Sequence, residues 1–286
     1  MKRTVIFKIS AEQDGVIIKN YLRSIGVSTT QMRSMKQYGG IFVNGKSARV
    51  VDKLKTNDEL RLEMCDENEQ SNNVEPSNAP IKIVFENEDV LVVDKPSGMP
   101  THPSFGHHND SLANAVVGYY NKKGETFVFR AVTRLDSETS GLCVIAKNAF
   151  THEFLQKRLH TDEFVREYVA LVEGEITKSG QICEPIKRES HSTYKRIVHK
   201  DGVYAKTDYT PIKHQNGKTL LKLRLYTGRT HQIRVHTSYI GHPIIGDKLY
   251  SNCEYNRLCL HSYHINMKLP FTNETIDLIS EPDFKI

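Results

Sequence analysis

The densest set of reactive side chains in the sequence is Arg134-Leu135-Asp136-Ser137-Glu138-Thr139-Ser140-Gly141. A cation precedes a carboxylate by two residues, a hydroxyl-rich turn follows, and glycine closes it. The apolar run 142–146 behind it reads as a buried strand. A carboxylate on a loop anchored by a core strand is held still, as a nucleophile or general base must be. Thr139 and Ser140 can hydrogen-bond back into the loop, and Gly141 permits backbone angles a larger residue resists. From these residues alone two readings stand: a reactive Asp136, or a surface turn with a weak local Arg–Asp pair. Tyr168 lies on an alternating run, 164–172, with Phe164, Arg166, Ala170 and Val172 on its face. It is either a core tyrosine with a satisfied hydroxyl or an aromatic wall of a site. Arg229 stands in Thr227-Gly228-Arg229-Thr230, between the amphipathic strand 219–225 and a helix over 231–240. The glycine allows a sharp turn, so Arg229 would sit at the strand–helix junction, where a buried carboxylate could pair with it.

Other polar groups point to no further chemistry. His102, His107 and His108 cluster without a matching cysteine or carboxylate set, and His231/His236 and His261/His264 lack the H-E-x-x-H glutamate and a third ligand. No metal is expected. The five cysteines form no C-x-x-C and leave one unpaired, which reads as reduced thiols in the cytoplasm.

The elements that must position these groups fall into two units. With 286 residues there is room for two domains, one with a substantial core. The composition, 26% charged and 38% hydrophobic, is ordinary for a globular protein. No apolar run approaches the roughly 20 residues needed to span a bilayer, and the start, MKRTVIFKIS, is too short for a signal peptide. The net charge of +5 is uneven: residues 1–65 carry twelve Lys/Arg against six Asp/Glu, and residues 66–79 carry four acids and no base. A basic small unit beside a near-neutral body suits a module gripping a polyanion, or simply a well-solvated domain.

Residues 1–65 are expected as a small α+β domain: helices over 16–22 and 31–38, the second capped from Ser28-Thr29-Thr30, then strands at 41–43 and 60–62 with an Asn44-Gly45 hairpin turn. Residues 66–79, with one valine as their only large apolar residue, read as a flexible linker. The body, 80–286, is expected to hold strands at 81–85 and 90–93, a helix from Asp110-Ser111 to Tyr120, a helix over 148–160, and last strands from Leu258 through Leu269 and over 275–279. Residues 175–218 are expected to be irregular. Their bases among His191, Tyr194 and His199 suit nucleotides, or a solvated insertion.

Four motifs occur in one order: Arg-Leu-Asp-x-x-Thr-Ser-Gly at 134–141, Glu-Tyr-Val-Ala-Leu-Val-x-Gly at 167–174, Thr-Gly-Arg-Thr-His-Gln-Ile-Arg-Val-His at 227–236, and Gly-His-Pro-Ile-x-Gly-Asp at 241–247. Together they resemble the RluA-type pseudouridine synthases across about residues 80–280. The front unit, with its basic second helix and Val-Asn-Gly-Lys hairpin, resembles the RNA-binding domain of ribosomal protein S-four, common in that family. The resemblance implies an α+β fold, with a mixed, largely antiparallel sheet around a central cleft. It implies isomerisation of uridine within RNA, with large-subunit ribosomal RNA favoured over transfer RNA as partner, and no cofactor, because nothing is oxidised or hydrolysed. It also makes Asp136 the catalytic aspartate, Tyr168 the active-site tyrosine that stacks on the base, and Arg229 the arginine paired with Asp136. Leu260 would line the pocket, Arg134 would fill the gap left by the flipped nucleotide, and Arg33, Lys36 and Lys46 would contact RNA phosphates. Thr133 stands where many relatives have His or Asn. A monomer is the default expectation. The rival readings are a non-catalytic RNA-binding assembly factor and a zinc or cysteine hydrolase using His231, His236, His261 and Cys259.

Overall fold

The computed structural model describes residues 2–65, 74–190, 192–272 and 274–285; residues 66–73 of the expected linker lie outside them. The first unit runs β1 (Lys2–Lys8), a 3-10 turn, α1 (Ile18–Ser24), α2 (Thr29–Gln37), β2 (Ile41–Val43), β3 (Lys46–Ser47) and β4 (Glu59–Cys65), with sheet order β1-β4-β2-β3. α2 begins two residues before its expected start because Ser28 and Gln31 close a reciprocal capping box. Its Met32 and Met35 are buried, while Arg33 and Lys36 are exposed. Asn44 and Gly45 both have positive φ, 50° and 76°, as the expected tight hairpin requires, and Lys46 emerges exposed beside them.

The second unit is built on β5 (Lys82–Glu86), β6 (Val90–Lys95), α3 (Leu112–Lys122), β7 (Ser140–Ala146), α4 (Ala149–Arg158) and β8 (Phe164–Glu173). It continues with β9 (Gly180–Ile182), β10 (Ile186–Arg188), β11 (Arg196–Val198), β12 (Thr207–Gln215), β13 (Lys218–Leu225), α5 (Gln232–Tyr239), β14 (Leu260–Lys268) and β15 (Thr275–Ile279). Nine strands form one sheet in the order β5-β6-β7-β14-β8-β13-β12-β9, with β15 on β14. Every pairing is antiparallel except β14 with β7. The fold is therefore α+β with a mixed, largely antiparallel sheet, as expected. Alternation along β6 and β7 divides the core. Leu91, Val93, Cys143 and Ile145 pack with α3, whereas Val90, Val92, Leu142 and Val144 pack with Phe150, Phe154 and Leu155 of α4.

Two expectations change. Residues 175–218 are not irregular but carry β9 to β12. The nine residues of β12 escape recognition because they alternate poorly, and Pro211 sits at a register shift. Residues 74–79 of the expected flexible linker are docked: Ser77 N–H donates to Asn114 O at 3.0 Å, Asn114 Nδ2 donates to Glu75 O at 2.7 Å, and Val74 packs on the core.

The first unit packs against the second. Arg3 reaches from β1 to grip Asp89 through Nε and Nη2, both at 2.9 Å. Phe271, in the β14–β15 turn, stacks on Phe150 with centroids 4.3 Å apart and lies 6.3 Å from Phe7. A φ of +64° at Phe271 strains the backbone by on the order of 1 kcal/mol, offset by this contact.

Candidate active site

Asp136 is held by two loops laced together. Thr101 Oγ1 donates to Leu135 O at 2.7 Å and accepts from Leu135 N at 3.1 Å. Gly98 N donates to Ser137 O at 2.8 Å, and Ser97 Oγ donates to Glu138 O at 2.7 Å. Beneath them Lys95 is 1% exposed, and its ammonium donates to the carbonyls of Pro96, Met99 and Ser137 at 2.9, 2.7 and 3.1 Å. Burial pulls Lys95 down to about 8, against the attraction of Cys143 and Asp136. The backbone N–H of Thr139 donates to Asp136 O, but the Ser140 hydroxyl does not turn back into the loop: it meets His261 Nδ1 at 2.7 Å and accepts from Arg257 at 2.6 Å. β7 starts at Ser140, so Gly141 lies inside the strand rather than in the loop. The space for its Cβ is 2.3 Å from Ser262 O.

The arginine beside Asp136 is Arg234, not Arg229. Arg234 Nη1 is 3.5 Å from Asp136 Oδ2, and its other edge makes a fork to the fully buried Asp247, Nε and Nη2 each at 2.7 Å. Burial lowers the Arg234 pKa, but Asp247, Asp136 and Glu138 more than offset that and leave it above the ordinary value. Asp247 is placed by Gly246, whose φ of +74° and 2.0 Å of Cβ clearance to Arg257 O exclude a side chain. Arg229 is exposed, its Nε donating to Tyr204 O at 3.0 Å. The reason is helix phase. His231 takes φ +56° and α5 begins behind it, so Arg229 stays on the preceding turn while Arg234 joins the buried run from Gln232 to Thr237.

His231 is also part of the site. Its Nε2 is 3.9 Å from Asp136 Oδ2, and its Nδ1 is 3.0 Å from the Tyr250 hydroxyl, which accepts the Arg196 N–H. With Nδ1 accepting the hydroxyl proton, Nε2–H faces the carboxylate. Burial lowers the His231 pKa against the attraction of Asp136, which favours a neutral ring.

These groups line a cleft of about 670 Å³ shared with Tyr168, Leu260, Arg134, Arg166 and Arg229. The volume suits a small flat ligand inserted edge-on. Tyr168 and Leu260 are buried, Arg134 is exposed at the mouth, and Asp136 has 29% of its side chain open. Burial raises the Tyr168 pKa, which Arg166 partly opposes, so the ring stands as a neutral phenol. The cleft thus offers an aromatic face, an apolar wall and a carboxylate flanked by Arg234 and His231. Arg33, Lys36 and Lys46 lie on the first unit and do not line this cleft. The sequence reading missed Arg234 and Lys95, and named His231 only as a piece of the hydrolase reading. The pair Arg234 and Asp247, two charges inside otherwise apolar or turn-forming stretches, was the available signal. The pieces of the hydrolase reading are held apart, with His236 on Thr207 and Glu184 and His261 on Ser140 and Ser280.

Residues 89–239 match the RNA pseudouridylate synthase family. The chain is 35% identical over 263 residues to the uncharacterized RNA pseudouridine synthase YjbO of Bacillus subtilis (strain 168), covering 91% of this chain and 93% of that one. It is 42% identical over 175 residues to ribosomal large subunit pseudouridine synthase D of Yersinia pestis, covering 61% and 54%. In fold it resembles human RNA pseudouridylate synthase domain containing 1, with a TM-score of 0.60 and 24% identity over 73% of this chain and 86% of that one. With its motifs, its sheet and these matches in agreement, the chain belongs to the RNA pseudouridylate synthases, isomerases that act on RNA.

Proposed function

We propose that the chain converts uridines of large-subunit ribosomal RNA to pseudouridine in the cytoplasm, as a monomer, with Asp136 as the reacting carboxylate. The observation that carries this reading is the setting of Asp136: partly open to the cleft and backed by Arg234 and His231. The base leaves its stack, at about a few kcal/mol, and the ring of Tyr168 offsets part of that. The N1–C1′ bond breaks, the uracil turns, C5 bonds to C1′, C5 loses its proton and N1 gains one. Asp136 serves either by attacking C1′ or by taking the C2′ proton. Leu260 confines the base, and Tyr168 offers its hydroxyl as the group that relays the C5 proton. Arg134, exposed at the mouth, takes the place of the flipped nucleotide in the RNA stack. Arg229 reads as a rim cation for RNA rather than the partner of Asp136. In the first unit, which we take as S-four-like, Arg33 and Lys36 share one exposed face of α2 and, with Lys46, offer cations to RNA phosphates.

Ribosomal RNA is favoured because the Yersinia pestis relative carries that substrate in its name. The test is tritium release from RNA labelled at uracil C5, with ribosomal and transfer RNA supplied separately. Ribosomal RNA should release label with wild type and none with Asp136→Asn, while RNA affinity stays within a few-fold. Release from transfer RNA alone would replace the substrate, and an active Asp136→Asn would remove the carboxylate from the mechanism.

A further inference from the structure

Arg166 is a buried cation that lines the cleft without a counter-ion. It is 5% exposed, and among the described residues no carboxylate pairs with it. Nη2 donates to Leu159 O at 3.1 Å and lies 3.4 Å from His160 Nδ1, while Nε has no hydrogen-bond partner. Nη1 lies beside Gly228, 3.5 Å from where a Cβ would stand, and both residues line the cleft. Burying an ion with no partner costs several kcal/mol, and burial lowers the Arg166 pKa accordingly. An arginine stays charged regardless, so the site is left with positive charge to neutralise. His160 and Arg229 line the same end of the cleft, and neither supplies an anion.

The position of Arg166 relative to Tyr168 indicates what that anion is. The two residues alternate on one face of β8, about 7 Å apart along the strand. A nucleotide with its base on the Tyr168 ring has its own phosphates within reach of that distance. We propose that Arg166 binds the phosphodiester flanking the target uridine, so that the cleft holds the flipped nucleotide at its base and at its backbone. The guanidinium fork suits two phosphate oxygens. This rests on the reading of the cleft as the uridine site.

Arg166 also closes the C-terminal end of α4 through Leu159 O, so a loss of activity on substitution would not by itself separate binding from folding. Charge removal on the RNA does separate them. The probe is a synthetic stem-loop around the uridine identified by C5 tritium release, prepared natural and with one neutral methylphosphonate either 5′ or 3′ of that uridine. It is assayed with wild type, Arg166→Met and Arg166→Lys, each checked for its melting temperature. One methylphosphonate should lower the wild-type kcat/KM by about 10- to 100-fold, as loss of a charge-assisted contact does. Arg166→Met should lose a similar factor on natural RNA, mostly in KM, and lose nothing more from that methylphosphonate, while Arg166→Lys recovers part of the loss. The sensitive position names the phosphate. Equal penalties from the methylphosphonates in wild type and Arg166→Met, or no penalty at either position, would overturn the assignment and leave Arg166 as a helix cap. If wild type releases no label from any RNA, the reading of the cleft fails, and the proposal fails with it.

Discussion

Arg234 reaches Asp136 only because Asp247 holds its far edge, so the two carboxylates form one unit across a shared guanidinium. Removing Arg234 would leave Asp247 buried and unpaired, which costs about 3–5 kcal/mol. Arg234→Met should therefore lower both the melting temperature and kcat. Arg229→Ala, at an exposed rim position, should leave the melting temperature unchanged and act mainly on KM and its salt dependence. Thermal denaturation beside tritium release reads both; a stable, inactive Arg229→Ala would reverse the assignment. Lys95 sets a pH limit. The unfolded chain keeps this proton to about 10.5 and the folded chain gives it up near 8. Between those values the unfolded state binds more protons, so the Lys95 contribution to stability rises with pH. Activity should move the other way, because a neutral amine has two protons for three carbonyls and the Ser137 brace beside Asp136 weakens. A kcat/KM profile should fall above about pH 8 without loss of stability, and a flat profile to pH 10 would refute the brace. At this scale the placing of Asp136 and Tyr168 in one cleft was legible because two of the motifs carry them, whereas Leu260 lies outside all four. The choice between two arginines in one motif was not, since it depends on where α5 begins.

The element that joins the loop to the sheet is β7, paired in parallel with β14 at Ser140 and Gly141. Gly141 has φ +106°, and a methyl group there would meet the Ser262 backbone. Gly141→Ala should part the two strands, destabilise the chain by about 1–3 kcal/mol and reduce turnover more than RNA affinity. A variant of unchanged melting temperature would contradict the contact. The strands of the body that alternate cleanly, such as β8 and β13, were legible from periodicity. β12 was not, with a proline at its register shift, and neither was the docking of residues 74–79, whose partners are the backbone and side chain of Asn114 on a helix that sequence does not place nearby.

Across the whole molecule the basic first unit is fastened to the body, where its sequence suggested a tethered module. Arg3 on Asp89 and Phe271 between Phe7 and Phe150 are two of the fastenings. The double variant Arg3→Ala with Phe271→Ala should release the unit, which would appear as increased proteolysis of residues 66–79 with the cleft still active on short RNA. Unchanged proteolysis would show that other contacts suffice. The order of strands carries a further consequence. β14 lies between β7 and β8, yet the chain makes it long after both, and beyond residue 239 where the family match ends. During synthesis the strands bearing the loop of Asp136 and the ring of Tyr168 therefore face an empty lane between them. The two sides of the cleft can be bridged only once Leu260–Lys268 has left the ribosome, so a nascent chain carries Asp136, Tyr168 and Arg234 before it has the strand that joins their supports.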